Sequence, residues 1–294
     1  MEAESLTWIQ GFVTMPRMKR VFDVGAFEIL RVGCYFMNWF FLYDDYSDLA
    51  TPHEAKEMAD VVMNTICKPD KIRLAGEYVV GEAIRQLWEL ISKCASLNAR
   101  RRLIESLGNF TASVAQQAQD RTLNYIRNVD EYFSVRRETI GAKQAFVVLE
   151  FELNLPDEFF DDPVIQRLVN ACIDLIIISN DLYSYNVEQA RGDDGHNLVT
   201  VMMHHKNLDL NEAMVWIGDH ASKTVRNYLN DLDHVPSFGN EFKDDVKRYL
   251  VADTFQHMGW QSPTVERLSF ILGALQTQRN KKAAYPTSSV SVKR

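Results

Sequence analysis

The chain has 294 residues, a formal net charge of −8 and an ordinary composition, with 46% hydrophobic and 24% charged residues. This length is enough to bury a substantial core, and the acidic balance argues against a nucleic-acid partner, which would need a basic face. No apolar run reaches the roughly 18 residues of a membrane span, and the opening residues MEAESLTWIQGF do not resemble a signal peptide, so we expect no membrane span.

Helical periodicity dominates the sequence from one end to the other. Asp162 followed by Pro163 predicts a helix start, because aspartate caps helix N-termini and proline is favoured in the first turn. No alternating pattern predicts a strand, and no Gly/Ser-rich linker divides the chain. We therefore predict a single all-α domain over residues 1–279, followed by a disordered polar tail over residues 280–294. The predicted helices span residues 21–43, 77–94, 99–127, 131–153, 163–190, 197–205, 211–231 and 240–257.

Four cysteines are widely spaced and form no CxxC pair, which argues against a zinc site or a disulfide framework. We predict four buried free thiols in a reducing compartment, and hence a cytoplasmic protein. The four are Cys34, Cys67, Cys94 and Cys172.

The helix predicted to start at Pro163 changes abruptly from apolar to polar. Asn180, Ser184 and Glu188 are spaced four residues apart and share one stripe, since a helix turns about 100° per residue. Ile173 and Ile177 lie under Asn180 on the same stripe, where we expect them to line a hydrocarbon pocket. Amide, hydroxyl and carboxylate oxygens are hard ligands suited to Mg²⁺ or Mn²⁺.

A similar change ends the helix predicted over residues 21–43. Phe41 and its apolar neighbours lie under Asp44, Asp48 follows one turn later, and Asp45 lies on the next stripe. Carboxylates at a helix C-terminus are disfavoured by the helix dipole, so their placement suggests that cations compensate. Either polar end alone is typical of a solvated helix face. Both together favour an apolar cavity with a metal-lined mouth, suited to a substrate with a diphosphate head and a hydrocarbon tail.

The two motifs carry a family resemblance. D-D-x-x-D at residues 44–48, followed by N-D-x-x-S-x-x-x-E at residues 180–188, resembles the paired metal motifs of class I terpene synthases. The segments MNWFFLYDDYSD and SYNVEQARGDDGHNLVTVMM are similar to those of fungal, basidiomycete-type sesquiterpene synthases. The resemblance extends over residues 21–270. Chain-elongating prenyltransferases carry a second aspartate-rich motif instead of the Asn/Ser/Glu set, which therefore favours a cyclase.

The resemblance implies an antiparallel α-helical bundle that binds farnesyl diphosphate with three Mg²⁺ ions, for which Mn²⁺ can substitute. Asp44 would bridge two ions, with Asp45 and Asp48 as further candidate ligands, and the Asn/Ser/Glu set would hold the third. The ions would draw diphosphate from an allylic carbon, leaving a carbocation that cyclises in a dry cavity. We expect a monomer or a homodimer.

The segment SVRRETIG, residues 134–141, resembles the part of the family that senses diphosphate. Arg137 would donate two hydrogen bonds to diphosphate, and the backbone carbonyl of Gly141 would point into the cavity. The ring of Phe41 would face the carbocation, with Phe146 and Trp260 as further candidates.

The C-terminal part departs from the family pattern. Arg267 fits a diphosphate-binding arginine, but Leu268 stands where the family has tyrosine, and Val187 stands where a lysine is common. Only 43 residues precede Asp44, fewer than in most family members, which leaves two alternatives: a compact member of the family, or a truncated chain that lacks one or two N-terminal helices of the bundle.

The sequence therefore predicts a Mg²⁺-dependent sesquiterpene cyclase. The segment NVEQARGDD resembles the corresponding segment of family members that close the farnesyl chain between carbons 1 and 11, towards protoilludene-type skeletons. Two alternatives stay open at this point. One is a prenyl chain-elongating transferase, and the other is an impaired or non-catalytic homologue that binds prenyl diphosphates.

Overall fold

A computed structural model describes residues 24–71 and 76–250, and these residues form α-helices and short 3₁₀ helices without a β-strand. The predicted all-α fold class is therefore confirmed. The α-helices are α1 (Val24–Ser47), α2 (Pro52–Cys67), α3 (Val79–Cys94), α4 (Leu97–Leu123), α5 (Val129–Thr139), α6 (Ala142–Leu149), α7 (Asp157–Asp161), α8 (Pro163–Arg191), α9 (Leu198–Lys206), α10 (Leu210–Leu232) and α11 (Lys243–Leu250). The 3₁₀ helices are Glu150–Glu152, Asp194–His196 and Asn240–Phe242.

The chain divides into two compact units. Of the described residues, the first unit contains α1 to α4 and the segment Gly141–Leu153, and the second contains the segment Asn124–Ile140 and residues 154–250. The predicted single domain with a disordered tail stays a prediction, and the tail itself lies outside the described residues.

An aromatic cluster forms the core of the first unit. Phe36, Trp39, Phe40 and Tyr43 of α1 pack with Phe110 of α4, with ring centroids of contacting pairs 4.7 to 6.1 Å apart. Such pairs contribute about 0.5–1.5 kcal/mol each beyond the area that they bury. The indole Nε1 of the tryptophan donates to a backbone oxygen of α3 at 3.0 Å, which satisfies its only donor. The opposite face of α1 is solvated.

The single helix predicted over residues 131–153 is wrong, because the chain breaks at Gly141. This residue has φ of +76°, a left-handed conformation that favours glycine. A Cβ added there would also lie 3.3 Å from the ring of Phe40, so a larger residue would crowd the aromatic cluster. The apolar period continues on both sides of the glycine, which is why periodicity alone did not reveal the break.

Helix α8 forms the centre of the second unit, and its bounds were predicted correctly. The carboxylate of Asp162 accepts from the backbone N–H groups of Val164 and Ile165, at 2.8 and 3.2 Å. At the other end Gly192 adopts the left-handed conformation, with φ of +76°, that commonly ends a helix. Start and stop signals written in the sequence therefore fix the longest described helix.

Helices α2 and α7 were not predicted. Helix α2 is rich in polar residues, so its apolar stripe is easy to overlook, but its start is well determined. Thr51 and Glu54 form a capping box in which each side chain binds the backbone N–H of the other. Helix α7 is only five residues long, too short for a period to be visible.

Within the described residues, α8 is the one helix long and apolar enough to cross a membrane. Ile173, Ile177 and Ile178 of this helix are buried, and it also carries two buried aspartates, Asp174 and Asp181, in ion pairs with arginine. Charges buried in pairs within a protein core fit a core helix better than a lipid-facing one.

The prediction for the cysteines is partly wrong. All four are free, but Cys172 alone is buried, Cys67 is exposed, and Cys34 and Cys94 are half-buried. Burial raises the pKa of the Cys172 thiol to about 12, so this group stays protonated and unreactive at neutral pH.

Candidate functional site

The polar end of α8 lies in a network of side chains from neighbouring elements. Asn180 is exposed, whereas Ser184 and Glu188 are half-buried. The amide Nδ2 of Asn197, a residue with no exposed surface, donates to Glu188 Oε2 at 2.9 Å and lies 3.5 Å from Ser184 Oγ. The oxygen of the same amide caps α9 by accepting from the Val199 N–H at 3.0 Å. The second hydrogen of the amide is donated to the Asp181 backbone oxygen at 3.0 Å, so Asn197 is fixed and orients Glu188, one of the three predicted metal ligands.

The third predicted ligand, Asn180, is bound by an arginine that the sequence did not single out. Arg136 of α5 donates from Nη2 to Asn180 Oδ1 at 2.7 Å and to Asp181 Oδ1 at 3.2 Å. The Arg136 side chain is 14% exposed. Burial opposes its charge, but the carboxylate of Asp181 raises its pKa above the usual value for arginine. A guanidinium therefore lies permanently charged beside the predicted ligand stripe.

Asp181 is the centre of this network. It is 1% exposed, and besides Arg136 it accepts hydrogen bonds from the Tyr132 hydroxyl and from the backbone N–H of Leu198, the latter at 2.7 Å. Burial raises the pKa of Asp181, and the three donors act in the opposite direction. Burial also raises the pKa of Tyr132, so its hydroxyl remains a donor. Asp181 lies off the ligand stripe and ties α5, α8 and the start of α9 together.

Arg137, the predicted diphosphate sensor, binds a different face of α8. Its guanidinium forms two hydrogen bonds with Asp174, at 2.7 and 2.8 Å, and lies over the ring of Phe133. The hydrogen bonds with Asp174 raise the pKa of Arg137. Asp174 precedes Asn180 by six residues, which places it roughly 120° around the helix. Arg137 and Asp174 line a cavity of about 570 Å³ between α8 and α10, together with residues such as His220 and Lys223. The role of Arg137 in binding diphosphate stays a prediction.

The stripe beneath Asn180 does not form an open pocket. Ile173 and Ile177 have no exposed surface and pack into the core of the second unit. The expectation that they line a pocket is therefore wrong for this structure. Isoleucine at this spacing is equally suited to core packing, and the sequence pattern does not separate the two roles.

The acidic end of α1 has a different construction. Asp44 and Asp45 lie in the last turn of the helix and Asp48 follows its end, and all three are exposed. Arg121 of α4 donates from Nη2 to the backbone oxygens of Ser47 and Ala50, at 2.9 and 3.0 Å. This guanidinium lies where the helix dipole is negative. A cation built into the fold therefore provides part of the compensation that the sequence led us to expect from bound ions.

The donor chemistry of both helix ends suits a hard divalent cation. Over residues 24–71 and 76–250, three or more carboxylate, imidazole or thiolate groups nowhere converge into one metal-binding cluster. The α8 set combines a single carboxylate with an amide and a hydroxyl, a mixture typical of Mg²⁺ ligands rather than zinc ligands. The fit to Mg²⁺ or Mn²⁺ therefore rests on ligand type, and the role of each residue stays a prediction.

The remaining predicted site residues fall in varied surroundings. Phe41 is 61% exposed on α1, whereas Phe146 is buried on α6. The Gly141 carbonyl accepts from the Ala145 N–H at 3.3 Å and so begins α6. Arg267 and Trp260 lie outside the described residues.

Comparison with known proteins identifies related sequences. The model of the family described as terpene synthase family 2, C-terminal metal binding, matches residues 35–227. Delta(6)-protoilludene synthase from Armillaria gallica is 44% identical over 75% of this chain and 64% of that protein, so the chain spans less than two thirds of it. Delta(6)-protoilludene synthase from Hypholoma sublateritium is 41% identical over 83% of this chain and 75% of its own length. Sesquiterpene synthase 14 from Postia placenta is 38% identical over 85% of this chain and 76% of its own length.

Solved structures with the same fold are also terpene synthases. Linalool/nerolidol synthase from Streptomyces clavuligerus has a TM-score of 0.64 at 19% identity, over 93% of this chain and 90% of that chain. A variant of cucumene synthase has a TM-score of 0.67 at 20% identity, over 83% of this chain and 80% of that chain. These likenesses confirm the predicted class I α-helical fold.

Proposed function

This chain belongs to the terpene synthase family, and we propose that it is a metal-dependent sesquiterpene cyclase that ionises farnesyl diphosphate, cyclises the hydrocarbon and releases diphosphate. The observation that carries the proposal is the ordered stripe on α8. There Asn197 orients Glu188 beside Ser184, and the third ligand, Asn180, continues the same face. Hard ligands held at the end of an apolar helix suit an ion that binds a phosphate.

The proposed metal ligands are Asp44, Asp45 and Asp48 at the end of α1, and Asn180, Ser184 and Glu188 on α8. The family resemblance supports three Mg²⁺ ions, replaceable by Mn²⁺. When bound, these ions neutralise the diphosphate and make it a better leaving group. Exposed carboxylates on α1 supply negative charge for them, and the α8 set supplies fixed geometry.

The protein's own groups have three further tasks. The guanidinium groups of Arg137 and Arg267 hold diphosphate oxygens, since charge-assisted hydrogen bonds to phosphate are among the strongest in proteins. The ring of Phe41 offers its negative face to a carbocation. Apolar side chains exclude water, which would otherwise trap the cation as an alcohol. Each of these roles is a proposal about a residue that the sequence singled out.

The names of the relatives support a product class. Both protoilludene synthases above are more than 40% identical to this chain. The segment NVEQARGDD also resembles family members that close the farnesyl chain between carbons 1 and 11. We therefore propose a protoilludene-type skeleton. Free thiols at all four cysteines support a location in the cytoplasm. We propose that the chain acts as a monomer or a homodimer.

An impaired homologue that binds prenyl diphosphate without turnover is the second candidate. Leu268 in place of tyrosine and Val187 in place of lysine favour it, because both replacements remove a polar contact to diphosphate. The chain-elongating transferase has no such observation in its favour.

One incubation separates these functions. The purified chain is mixed with farnesyl diphosphate and Mg²⁺, and volatile products are analysed by gas chromatography with mass spectrometry. A cyclase releases a cyclic sesquiterpene, and the same incubation with chelator gives none. Intact folded protein that releases farnesol alone or nothing contradicts the proposal. Addition of isopentenyl diphosphate yields longer prenyl diphosphates only if the chain is an elongating transferase.

A further inference from the structure

One atom of the predicted metal site is already bound by a cation. The side chain of Asn180 has a single oxygen, which is the atom that a hard metal ion would coordinate. Arg136 donates to this same oxygen at 2.7 Å. A metal ion and a guanidinium on one oxygen are two positive charges a few ångströms apart, and their repulsion weakens the binding of the ion.

Arg136 is anchored on one side and has donors to spare on the other. Its contact with Asp181 is held by the Tyr132 hydroxyl and the Leu198 N–H, which fix the carboxylate in place. Its Nε–H is buried and finds no acceptor in the part of the chain that the structure describes, so it gains a partner only when the guanidinium moves. Phosphate oxygens are the acceptors that a guanidinium binds best.

The neighbouring arginine lacks this freedom. Arg137 directs both Nε and Nη2 at the two oxygens of Asp174. Arg136 therefore combines contact with a metal ligand and spare donor capacity, whereas Arg137 is bound to a carboxylate on another face of α8.

We propose that Arg136 couples metal binding on α8 to the binding of diphosphate. Without diphosphate, the guanidinium holds Asn180 Oδ1 and keeps the affinity for a divalent ion low. A diphosphate oxygen competes for the same donor, draws it from Asn180 and leaves that oxygen to the ion. The ion therefore binds tightly only together with diphosphate, and by linkage diphosphate binds tightly only with the ion. This inference rests on the proposed function for its ligand, a diphosphate.

The test measures metal affinity and does not require turnover. Binding of Mn²⁺ to the full chain is followed by electron paramagnetic resonance, with and without inorganic diphosphate. In the unsubstituted chain we expect diphosphate to raise the affinity of the α8 ion at least tenfold. We call the ratio of Mn²⁺ affinities with and without diphosphate the coupling. In Arg136→Gln we expect the Mn²⁺ affinity without diphosphate to rise several-fold and the coupling to fall towards one. Lower affinity without diphosphate, or unchanged coupling, overturns the proposal.

Two further variants make the result specific. Asn180→Ala identifies the α8 ion, because it removes the shared oxygen. Arg137→Gln removes the same charge from the adjacent position and tests whether the predicted diphosphate sensor carries the coupling instead. Loss of coupling in Arg137→Gln but not in Arg136→Gln assigns the role to Arg137 and overturns the proposal. If Arg136→Gln does not fold, Arg136→Gln/Asp181→Asn removes both buried charges and is tested by the same criteria.

The coupling and the proposed function fail in different ways. A chain that makes sesquiterpenes but shows unchanged coupling in Arg136→Gln retains the cyclase proposal and loses the inference. A chain that couples Mn²⁺ and diphosphate through Arg136 but does not turn over farnesyl diphosphate retains the inference and loses the cyclase.

Discussion

The acidic end of α1 and the polar end of α8 present similar ligand types in different ways. At the end of α1, two exposed aspartates lie in the last turn and a third follows it, and Arg121 holds the nearby backbone oxygens of Ser47 and Ala50. At the end of α8, the ligand oxygens themselves are held by Asn197 and Arg136. The first end provides three exposed carboxylates, and the second provides a single carboxylate within a network of fixed side chains. Substitutions at the two ends should therefore separate stability from metal binding.

The largest expected effect on stability lies in the network around α8. Asp181→Ala leaves Arg136 charged and buried without its partner, and it also removes the acceptor for Tyr132 and Leu198 N–H. Breaking a buried pair in this way costs about 3–5 kcal/mol. Urea denaturation of the variant measures the free energy of unfolding. Asp45→Asn, at the exposed end of α1, is the matched carboxylate and should change it by less than about 0.5 kcal/mol.

A smaller loss of stability is expected for Asn197, which lies between α8 and α9. Asn197→Ala removes the α9 cap, for a loss of about 1–2 kcal/mol, and it frees Glu188 to adopt other rotamers. Loss of a residue that orients metal ligands typically lowers metal affinity or activity about 10–100-fold. Thermal melting and Mn²⁺ binding report the two effects separately. Asn186→Ala, exposed on α8, serves as the control, and equal behaviour of the two variants would contradict this role for Asn197.

At the end of α1 we expect a similar loss of stability, without the effect on metal affinity. Arg121→Ala removes the donor to two backbone oxygens at the helix C-terminus, and we expect a loss of about 1–2 kcal/mol, since hydrogen bonds from charged groups contribute somewhat more than neutral ones. Arg121→Lys keeps the charge and should recover part of the loss. Chemical denaturation compares the two variants, and a stability equal to that of the unsubstituted chain in Arg121→Ala would show that the cap is not needed.

The smallest expected effect is on the pH dependence of stability, through His220 of α10. Burial lowers the pKa of His220 below its usual value, so the folded protein binds a proton less readily than the unfolded chain. Stability from this group is present above the unfolded pKa near 6.5 and is lost as the pH falls below it. His220→Phe preserves the stacking with Trp216 and should melt with a flatter dependence on pH between about 7 and 5. An unchanged slope would contradict this assignment.

Features with local signals were predictable from the sequence. The bounds of α8 follow from Asp162, Pro163 and Gly192, each of which acts within one turn of the helix end. The ligand stripe follows from the helical repeat alone. These inferences need no knowledge of how helices pack.

Features that depend on packing were not predictable. Arg136 and Arg137 are adjacent, and their side chains leave α5 about 100° apart, so the one that meets Asn180 depends on how α5 lies against α8. Asn197 reaches Glu188 across a loop, and no spacing rule identifies it. The break at Gly141 depends on a left-handed backbone and the nearby ring of Phe40, neither of which alters the apolar period.

The central claim is that the α8 stripe serves sesquiterpene cyclisation, and one comparison tests it most directly. The unsubstituted chain and the Asn180→Ala/Ser184→Ala variant are incubated side by side with farnesyl diphosphate and Mg²⁺, and their volatile products are quantified. We predict a cyclic sesquiterpene from the first and at least a 100-fold lower yield from the second, with closely similar melting temperatures. Equal yields from both, or no cyclic product from the folded unsubstituted chain, would contradict the claim.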